Sequence, residues 1–172
     1  FARSDRGGCP MNNGLKGART VRMQLTVNGT SWSGEVNAEE TLLEFVRDRL
    51  GLKGTKRSCE SQVCGACTVL VANQAVSSCS YLAWEAANKE ILTIEGLAQG
   101  TVLDPVQEAF VKFGAIQCGY CTPGMVMMVK ALLNENPHPS RQEIRSWLNG
   151  SLCRCSAYVS IEQAVMDLAG RK

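Results

Sequence analysis

The chain has 172 residues, of which 45% are hydrophobic and 20% are charged, and its net charge is +2. This composition is typical of a soluble globular protein and leaves room for one ordinary domain or two small ones. The sequence contains neither a basic block that would bind nucleic acid nor an apolar run near the ~18 residues that a membrane span requires. We therefore predict no nucleic-acid partner and no membrane span.

The N-terminal segment, residues 1–20, is rich in Gly, Arg and Asn and contains no apolar core. It does not resemble a secretory signal, so a reducing, cytoplasmic location is predicted. We interpret residues 1–20 as a flexible N-terminal arm, a remnant, or a strip that docks on a partner.

Residues 21–97 are predicted to form a small mixed sheet with one helix across it. Apolar and polar residues alternate over residues 21–27, which is typical of a half-buried strand, and Asn28-Gly29 indicates a hairpin turn. Apolar residues then recur at helical spacing over residues 42–50, with Gly51 placed to end the helix. The other strands are predicted at residues 32–36, 68–72, 75–77 and 91–94, with a second turn at Asn73-Gln74.

Residues 103–172 are predicted to be helical. Four helix starts are indicated by a capping residue with an early Pro, Glu or Gln: Asp104-Pro105, Thr122-Pro123, Ser140 with Glu143, and Ser160 with Gln163. Four helices with short connections are typical of a small bundle. The predicted fold class is therefore α+β, with a sheet domain over residues 21–97 and a four-helix domain over residues 103–172.

Cysteine is the most informative residue type in the sequence. Eight of the nine cysteines fall into two groups of four, and Cys9 is left over in the arm. The first cysteine group is Cys59, Cys64, Cys67 and Cys79, and the second cysteine group is Cys118, Cys121, Cys153 and Cys155. In a reducing compartment, clustered thiols hold metals more often than they form disulfides.

The first cysteine group has the spacing C-x4-C-x2-C, followed after eleven residues by C, which is the plant-type ferredoxin pattern for a [2Fe–2S] cluster. Its first three members fall in a predicted loop, and a loop can supply the backbone N–H donors that negatively charged cluster sulfurs need. Small residues at Gly65 and Ala66 let the backbone approach closely. We therefore predict a [2Fe–2S] cluster on this group.

The second cysteine group consists of two short pairs at helix junctions. One pair joins the first two predicted helices of the bundle, and the other joins the last two, so both loops can meet at one end of it. The adjacent helix N-termini, near Thr122 and Ser160, would place positive dipole ends beside an anionic thiolate cluster. Four thiolates also satisfy structural zinc, so the spacing alone leaves both a zinc ion and an iron–sulfur cluster open.

Residues for substrate chemistry are sparse in this sequence. The single histidine, His138, lies in an Asn-Pro-His-Pro loop and is interpreted as a turn residue. The sequence offers no nucleophile with its base and no Gly-rich phosphate loop. The chain therefore predicts redox centres without a substrate site, which is typical of an electron relay inside a larger enzyme.

Three motifs resemble the iron–sulfur subunit of the xanthine dehydrogenase family of molybdenum hydroxylases. They are CESQVCGACTV at residues 59–69, QCGYCTPGM at residues 117–125 and LCRC at residues 152–155. The resemblance covers about residues 21–169 and includes all eight grouped cysteines in identity and spacing. It implies a second [2Fe–2S] cluster on the second cysteine group, in place of zinc.

The resemblance also implies a fold and a function. The first domain would be a β-grasp ferredoxin-like [2Fe–2S] domain, and the second would be the four-helix [2Fe–2S]-binding domain of the family. Gln117 and Cys155 would lie closest to molybdopterin on a large partner subunit, and the first cluster would face FAD on a medium partner subunit. The chain would relay electrons from molybdopterin to FAD during hydroxylation of a purine, another N-heteroaromatic compound or an aldehyde.

Two positions depart from the family pattern. Family members usually have Gly where this chain has Gln62, and many have Gly where it has Ala157. Neither change removes a cysteine, but either would alter loop conformation and the N–H donors to sulfur. Two alternative functions stay open at this point: a free two-cluster ferredoxin and a zinc-stabilised interaction module.

Overall fold

The first half of the chain forms a mixed five-stranded sheet. The computed structural model describes residues 19–170. The strands are β1 (Thr20–Val27), β2 (Thr30–Asn37), β3 (Thr68–Val71), β4 (Gln74–Ser77) and β5 (Glu90–Leu92). They lie in the order β2-β1-β5-β3-β4, in which β1 and β5 run parallel and the other neighbours run antiparallel.

The two hairpins turn at positive-φ residues. The predicted turn at Asn28-Gly29 is confirmed, with φ values of 50° and 77°. The second turn lies at Ala72 and Asn73, with φ values of 50° and 66°, and not at Asn73-Gln74. That prediction was wrong by one residue because Gln74 pairs with Val71 in the antiparallel ladder. Both turns have the two left-handed residues that match the twist of a tight hairpin.

The fifth strand is shorter than its predicted range of residues 91–94. It ends at Leu92, and the next residue turns away from the ladder because the Thr93 N–H donates to Asn28 Oδ1 at 2.9 Å. The chain then makes a 3₁₀ turn at Ile94–Gly96, and another 3₁₀ turn, Ala83–Ala86, precedes the strand.

The helix across the sheet begins as an α-helix and ends as a π-helical turn. Helix α1 (Leu42–Glu44) has a capping box between Thr41 and Glu44, and the π-helical turn spans Phe45–Arg49. The Leu50 N–H donates to the carbonyl oxygen of Phe45, five residues earlier, at 3.0 Å. The predicted helix and its end before Gly51 are confirmed, but hydrophobic spacing does not reveal the wider turn.

The second half of the described chain forms four helices. They are α2 (Pro105–Lys112), α3 (Thr122–Glu135), α4 (Arg141–Leu148) and α5 (Tyr158–Ala169). The predicted caps at Asp104 and Ser140 are confirmed as capping boxes, with Gln107 and Glu143 as the returning side chains. A mixed sheet followed by four helices confirms the predicted α+β class. None of the helices within residues 19–170 is long and apolar enough to cross a membrane.

Two helix starts differ from the prediction, and both follow a cysteine pair. Helix α3 includes Thr122 itself, and the residue before it, Cys121, makes no capping hydrogen bond with its side chain. Helix α5 begins two residues before Ser160, because the Ile161 N–H already donates to the Ala157 carbonyl oxygen at 3.0 Å. The capping box predicted at Ser160 was therefore wrong. Both helices start directly from cysteine-bearing loops.

Strand β3 connects two hydrophobic cores. All four of its residues are buried. Val69 and Val71 belong to the core that contains Phe45, whereas Leu70 belongs to the helical core, which includes Met125 of α3. The sheet is therefore covered by α1 on one face and by the helical half on the other. This packing brings the first cysteine group, which flanks β3, close to the start of α3.

Candidate metal centres

The first cysteine group lies at one end of the sheet. Cys59, Cys64 and Cys67 occupy the loop before β3, and Cys79 follows β4. The hydroxyl of buried Ser78 donates to the Cys67 carbonyl oxygen at 2.7 Å. This bond joins the end of β4 to the loop, and the Cys79 thiol lies close enough to Cys67 to contribute to the rise in the pKa of Cys67.

Backbone N–H groups surround the sulfur of Cys59. The N–H groups of Ser61 and Cys64 approach Cys59 Sγ at 3.5 and 3.4 Å. Hydrogen bonds from the backbone, first from Ser61 and then from Val63 and Cys64, lower the pKa of Cys59 to about 6. Burial has the opposite effect on Cys67 and raises its pKa to about 11. The exposed side of the loop is therefore built to stabilise a thiolate.

Two residues between Cys59 and Cys64 adopt the left-handed conformation that favours glycine. Glu60 has φ of 55° and Gln62 has φ of 61°. Alternating residues of this kind turn successive N–H groups toward one side, where an anion can bind. Gln62 therefore keeps the conformation in which family members usually place Gly, and the Cys64 N–H still donates to Cys59. The departure at Gln62 adds backbone strain but leaves these donors in place.

The second cysteine group lies where α3 and α5 begin. The thiol of Cys118 lies close enough to Cys155, and that of Cys121 close enough to Cys153, for each partner to shift the pKa of its neighbour. The backbone N–H of Tyr120 is the main cause that lowers the pKa of Cys118. Burial, followed by the neighbouring Cys153, raises the pKa of Cys121 to about 12. The structure thus brings the group together as two neighbouring pairs, Cys118 with Cys155 and Cys121 with Cys153.

The second departure from the family pattern causes no strain at its own position. Ala157 is buried with φ of −72°, and its N–H donates to Cys153 Sγ at 3.4 Å. The left-handed residue in this loop is the preceding Ser156, with φ of 62°. Alanine therefore fits at residue 157 and supplies a donor to the cysteine sulfur.

In both groups the thiols stand as pairs. The pairs are Cys59 with Cys64, Cys67 with Cys79, Cys118 with Cys155, and Cys121 with Cys153. Across residues 19–170, no three Cys, His, Asp or Glu side chains converge on one metal position. Two pairs of thiols suit a binuclear cluster, in which each iron takes two protein ligands. The donor sets therefore fit two [2Fe–2S] clusters.

A cavity of about 450 Å³ adjoins the second cysteine group. It is lined by Cys118, Cys121 and Cys153, and it reaches Cys64 of the first group. Gln117, the other predicted site residue, is exposed beside Cys118.

The predicted turn residue His138 contacts the Ala169 carbonyl oxygen through Nδ1 at 2.7 Å. This contact connects its loop to the end of α5.

Some residues around the cysteines could not be found from sequence. The Tyr158 hydroxyl accepts a hydrogen bond from the Cys153 N–H at 2.7 Å, and the Ser78 hydroxyl holds the loop beside Cys67. The Tyr120 hydroxyl, in the loop of the second cysteine group, donates to the Arg57 carbonyl oxygen, which lies two residues before Cys59 of the first group. Tyr120 is adjacent to Cys121 and Tyr158 follows Cys155 by three residues, but neither sequence position indicates which group the hydroxyl contacts.

The chain matches two family models that together cover most of its length. Residues 25–98 match the 2Fe-2S iron-sulfur cluster binding domain, and residues 93–166 match the [2Fe-2S] binding domain. The two matches correspond to the sheet half and the helical half. They show that the chain carries two [2Fe–2S] clusters.

Several similar proteins have nearly the same length as this chain. The chain is 43% identical to the nicotine 6-hydroxylase small subunit of Paenarthrobacter nicotinovorans, with 88% of this chain and 91% of that one covered. It is 43% identical to the xanthine dehydrogenase iron-sulfur-binding subunit of Escherichia coli O157:H7, with 87% and 95% covered. The structure superposes on quinoline 2-oxidoreductase from Pseudomonas putida 86 with a TM-score of 0.82 and 41% identity, over 87% of this chain and 93% of that one. The chain belongs to the family of two-cluster iron–sulfur subunits that transfer electrons in molybdenum hydroxylase-type dehydrogenases.

Proposed function

We propose that this chain relays electrons from molybdopterin on a large partner subunit, through its two clusters, to FAD on a medium partner subunit. The substrate would be a purine, another N-heteroaromatic compound or an aldehyde, hydroxylated on the large subunit. The observation that carries the proposal is the pairing of eight thiols in two adjacent loop regions. The names of the relatives, which include xanthine, nicotine and quinoline enzymes, support the substrate class.

The ligand assignment is part of this proposal. The first cluster would be held by Cys59, Cys64, Cys67 and Cys79, and the second by Cys118, Cys121, Cys153 and Cys155. Backbone N–H donors at the sulfurs of Cys59 and Cys153 support this assignment, because donors stabilise thiolates on iron. The domain boundaries at residues 20, 97 and 103 are also part of the proposal.

The second cluster would face the large subunit, with Gln117 and Cys155 nearest to molybdopterin. Three large apolar side chains near this group support a partner surface there. Ile116, Leu152 and Val159 are 41%, 51% and 71% exposed. Exposed apolar side chains grouped around a site are typical of a protein–protein interface. They favour a subunit of a complex over a free two-cluster ferredoxin.

Two further features bear on the alternatives. The paired thiols favour binuclear clusters over a zinc-stabilised interaction module, because structural zinc draws four ligands to one point.

A cytoplasmic location also belongs to the proposal. It is supported by the eight described cysteines, none of which forms a disulfide, since grouped free thiols are typical of a reducing compartment.

Low-temperature EPR on the anaerobically reduced chain tests the proposed function. We expect two distinct signals, with about four irons and four acid-labile sulfides per chain, because each cluster contributes two of each. Iron and sulfide are counted on the same sample. A single signal with two irons would remove one cluster from the relay. Zinc in place of iron would overturn the proposal in favour of a structural metal-binding module.

A further inference from the structure

The two cysteine groups meet at a junction between the halves of the chain. The Leu152 N–H donates to the Cys64 carbonyl oxygen at 2.9 Å. Cys64 belongs to the first group, and Leu152 precedes Cys153 of the second. This hydrogen bond therefore links a cysteine of the first group to the residue that precedes a cysteine of the second group. Its amide hydrogen reports directly on whether this junction, here called the cluster junction, is closed.

Close backbone packing surrounds the same hydrogen bond. A Cβ atom on Gly124 would overlap the Gly65 carbonyl oxygen. A Cβ atom on Gly65 would come within 2.6 Å of the Gly150 carbonyl oxygen and 2.8 Å of Ser151 Oγ. Because backbone meets backbone here, the distance between the two loops is short and leaves no room for intervening side chains.

A tyrosine hydroxyl adds a second connection across the cluster junction. Tyr120 lies between Cys118 and Cys121, and its hydroxyl donates to the Arg57 carbonyl oxygen, two residues before Cys59. The ring is 49% exposed, so its hydroxyl would otherwise be satisfied by water. The bond therefore contributes only the modest net free energy of an exposed hydrogen bond, but it also fixes the direction in which one loop lies on the other.

The acceptor of this hydrogen bond is itself held in place. The Arg57 guanidinium pairs with Asp48 at 3.0 Å and with Glu60 at 3.1 Å. Asp48 belongs to the π-helical turn, and Glu60 is the left-handed residue that follows Cys59. Tyr120 thus contacts a residue that is anchored both to the sheet domain and to the loop of the first cysteine group.

We propose that Tyr120 is a positioning residue for electron transfer between the two clusters. Its hydroxyl, bonded to the Arg57 carbonyl oxygen, holds the loop of the second cysteine group on the loop of the first. Electron transfer through protein slows steeply as two centres separate, so a closed junction keeps the transfer fast. This inference rests on the proposed ligand assignment, since the loops position clusters only where the cysteines bind them.

Replacing Tyr120 by Phe in the cluster-loaded chain removes the hydroxyl and keeps the ring. We expect the Leu152 amide to exchange its hydrogen about fivefold faster, because the junction opens more often when one cross-domain hydrogen bond is lost. The second readout is the magnetic interaction between the two reduced clusters in EPR. We expect the lines that arise from this interaction to change, while each cluster reduced alone keeps its own signal.

Tyr81→Phe is the matched control, because that hydroxyl also donates to a backbone carbonyl, Glu85 O at 3.1 Å, but within the sheet domain. It should leave both readouts as in the unmodified chain. Unchanged Leu152 exchange or unchanged interaction lines in Tyr120→Phe would overturn the inference. Loss of iron from that variant would also overturn it, because the hydroxyl would then serve cluster assembly. Failure to find two clusters in the unmodified chain would instead count against the proposed function.

Discussion

Replacing Cys118 by Ala is expected to remove the second cluster and to abolish electron transfer through the chain. Cys118 is exposed, so truncating its side chain deletes a thiolate without opening a cavity in the core. Its partner Cys155 would then be the single protein ligand of one iron. A [2Fe–2S] cluster requires four thiolates, and we expect the remaining three not to retain it. Iron should fall from about four to about two per chain, and one EPR signal should disappear.

The same variant tests the order of the relay when it is assembled with its partner subunits. Turnover measured with an acceptor on the flavin side should fall to background, because electrons cannot bypass the missing cluster. The first cluster should keep its own signal. Cys9→Ala is the control, since Cys9 belongs to neither cysteine group and lies outside the part of the chain that the structure describes. Full turnover in Cys118→Ala would rule out the proposed relay.

Local signals were enough to predict much of this fold. Asn28-Gly29 turns a hairpin because both residues tolerate positive φ, and Asp104-Pro105 starts a helix because the carboxylate caps it and proline needs no N–H partner there. The first cysteine group was predictable for a similar reason. The spacing of Cys59, Cys64 and Cys67 within one loop matches a known ligand pattern, and only Cys79 comes from a separate position, after β4.

Other features depend on contacts that sequence patterns do not carry. The π-helical turn at Phe45–Arg49 has nearly the same apolar spacing as an α-helix, and helix α5 begins at Tyr158 because the loop of Cys153 and Cys155 runs straight into it. The second cysteine group was ambiguous by spacing, and its interpretation needed either a family resemblance or the proximity of its thiols in the fold. The cluster junction itself joins residues about 90 positions apart, such as Cys64 and Leu152, and only tertiary packing reveals it.

Gly124→Ala is expected to destabilise the chain strongly, although alanine is the better helix former. In an exposed helix, this change would stabilise by about 1 kcal/mol. Here the new Cβ would overlap the Gly65 carbonyl oxygen and lie 3.0 Å from Ala66 Cα. Both contacts are backbone atoms of the first cysteine loop, which cannot rotate away as a side chain would. Overpacking of this kind costs about 1–3 kcal/mol and sometimes more, and we expect a net loss of about 2 kcal/mol.

This loss should appear as a lower midpoint of thermal unfolding, by about 5 °C for a chain of this size, followed through the visible absorbance of the clusters. Gly150→Ala is the matched control at the same junction, because its Cβ would meet nothing closer than Met128 Cε at 4.0 Å. Its midpoint should stay within about 1 °C of the unmodified chain. Equal midpoints for Gly124→Ala and the unmodified chain would show that the two halves do not pack backbone on backbone. In that case the contact between Cys64 and Leu152 could not hold the clusters at a fixed separation either, since it depends on the same close approach.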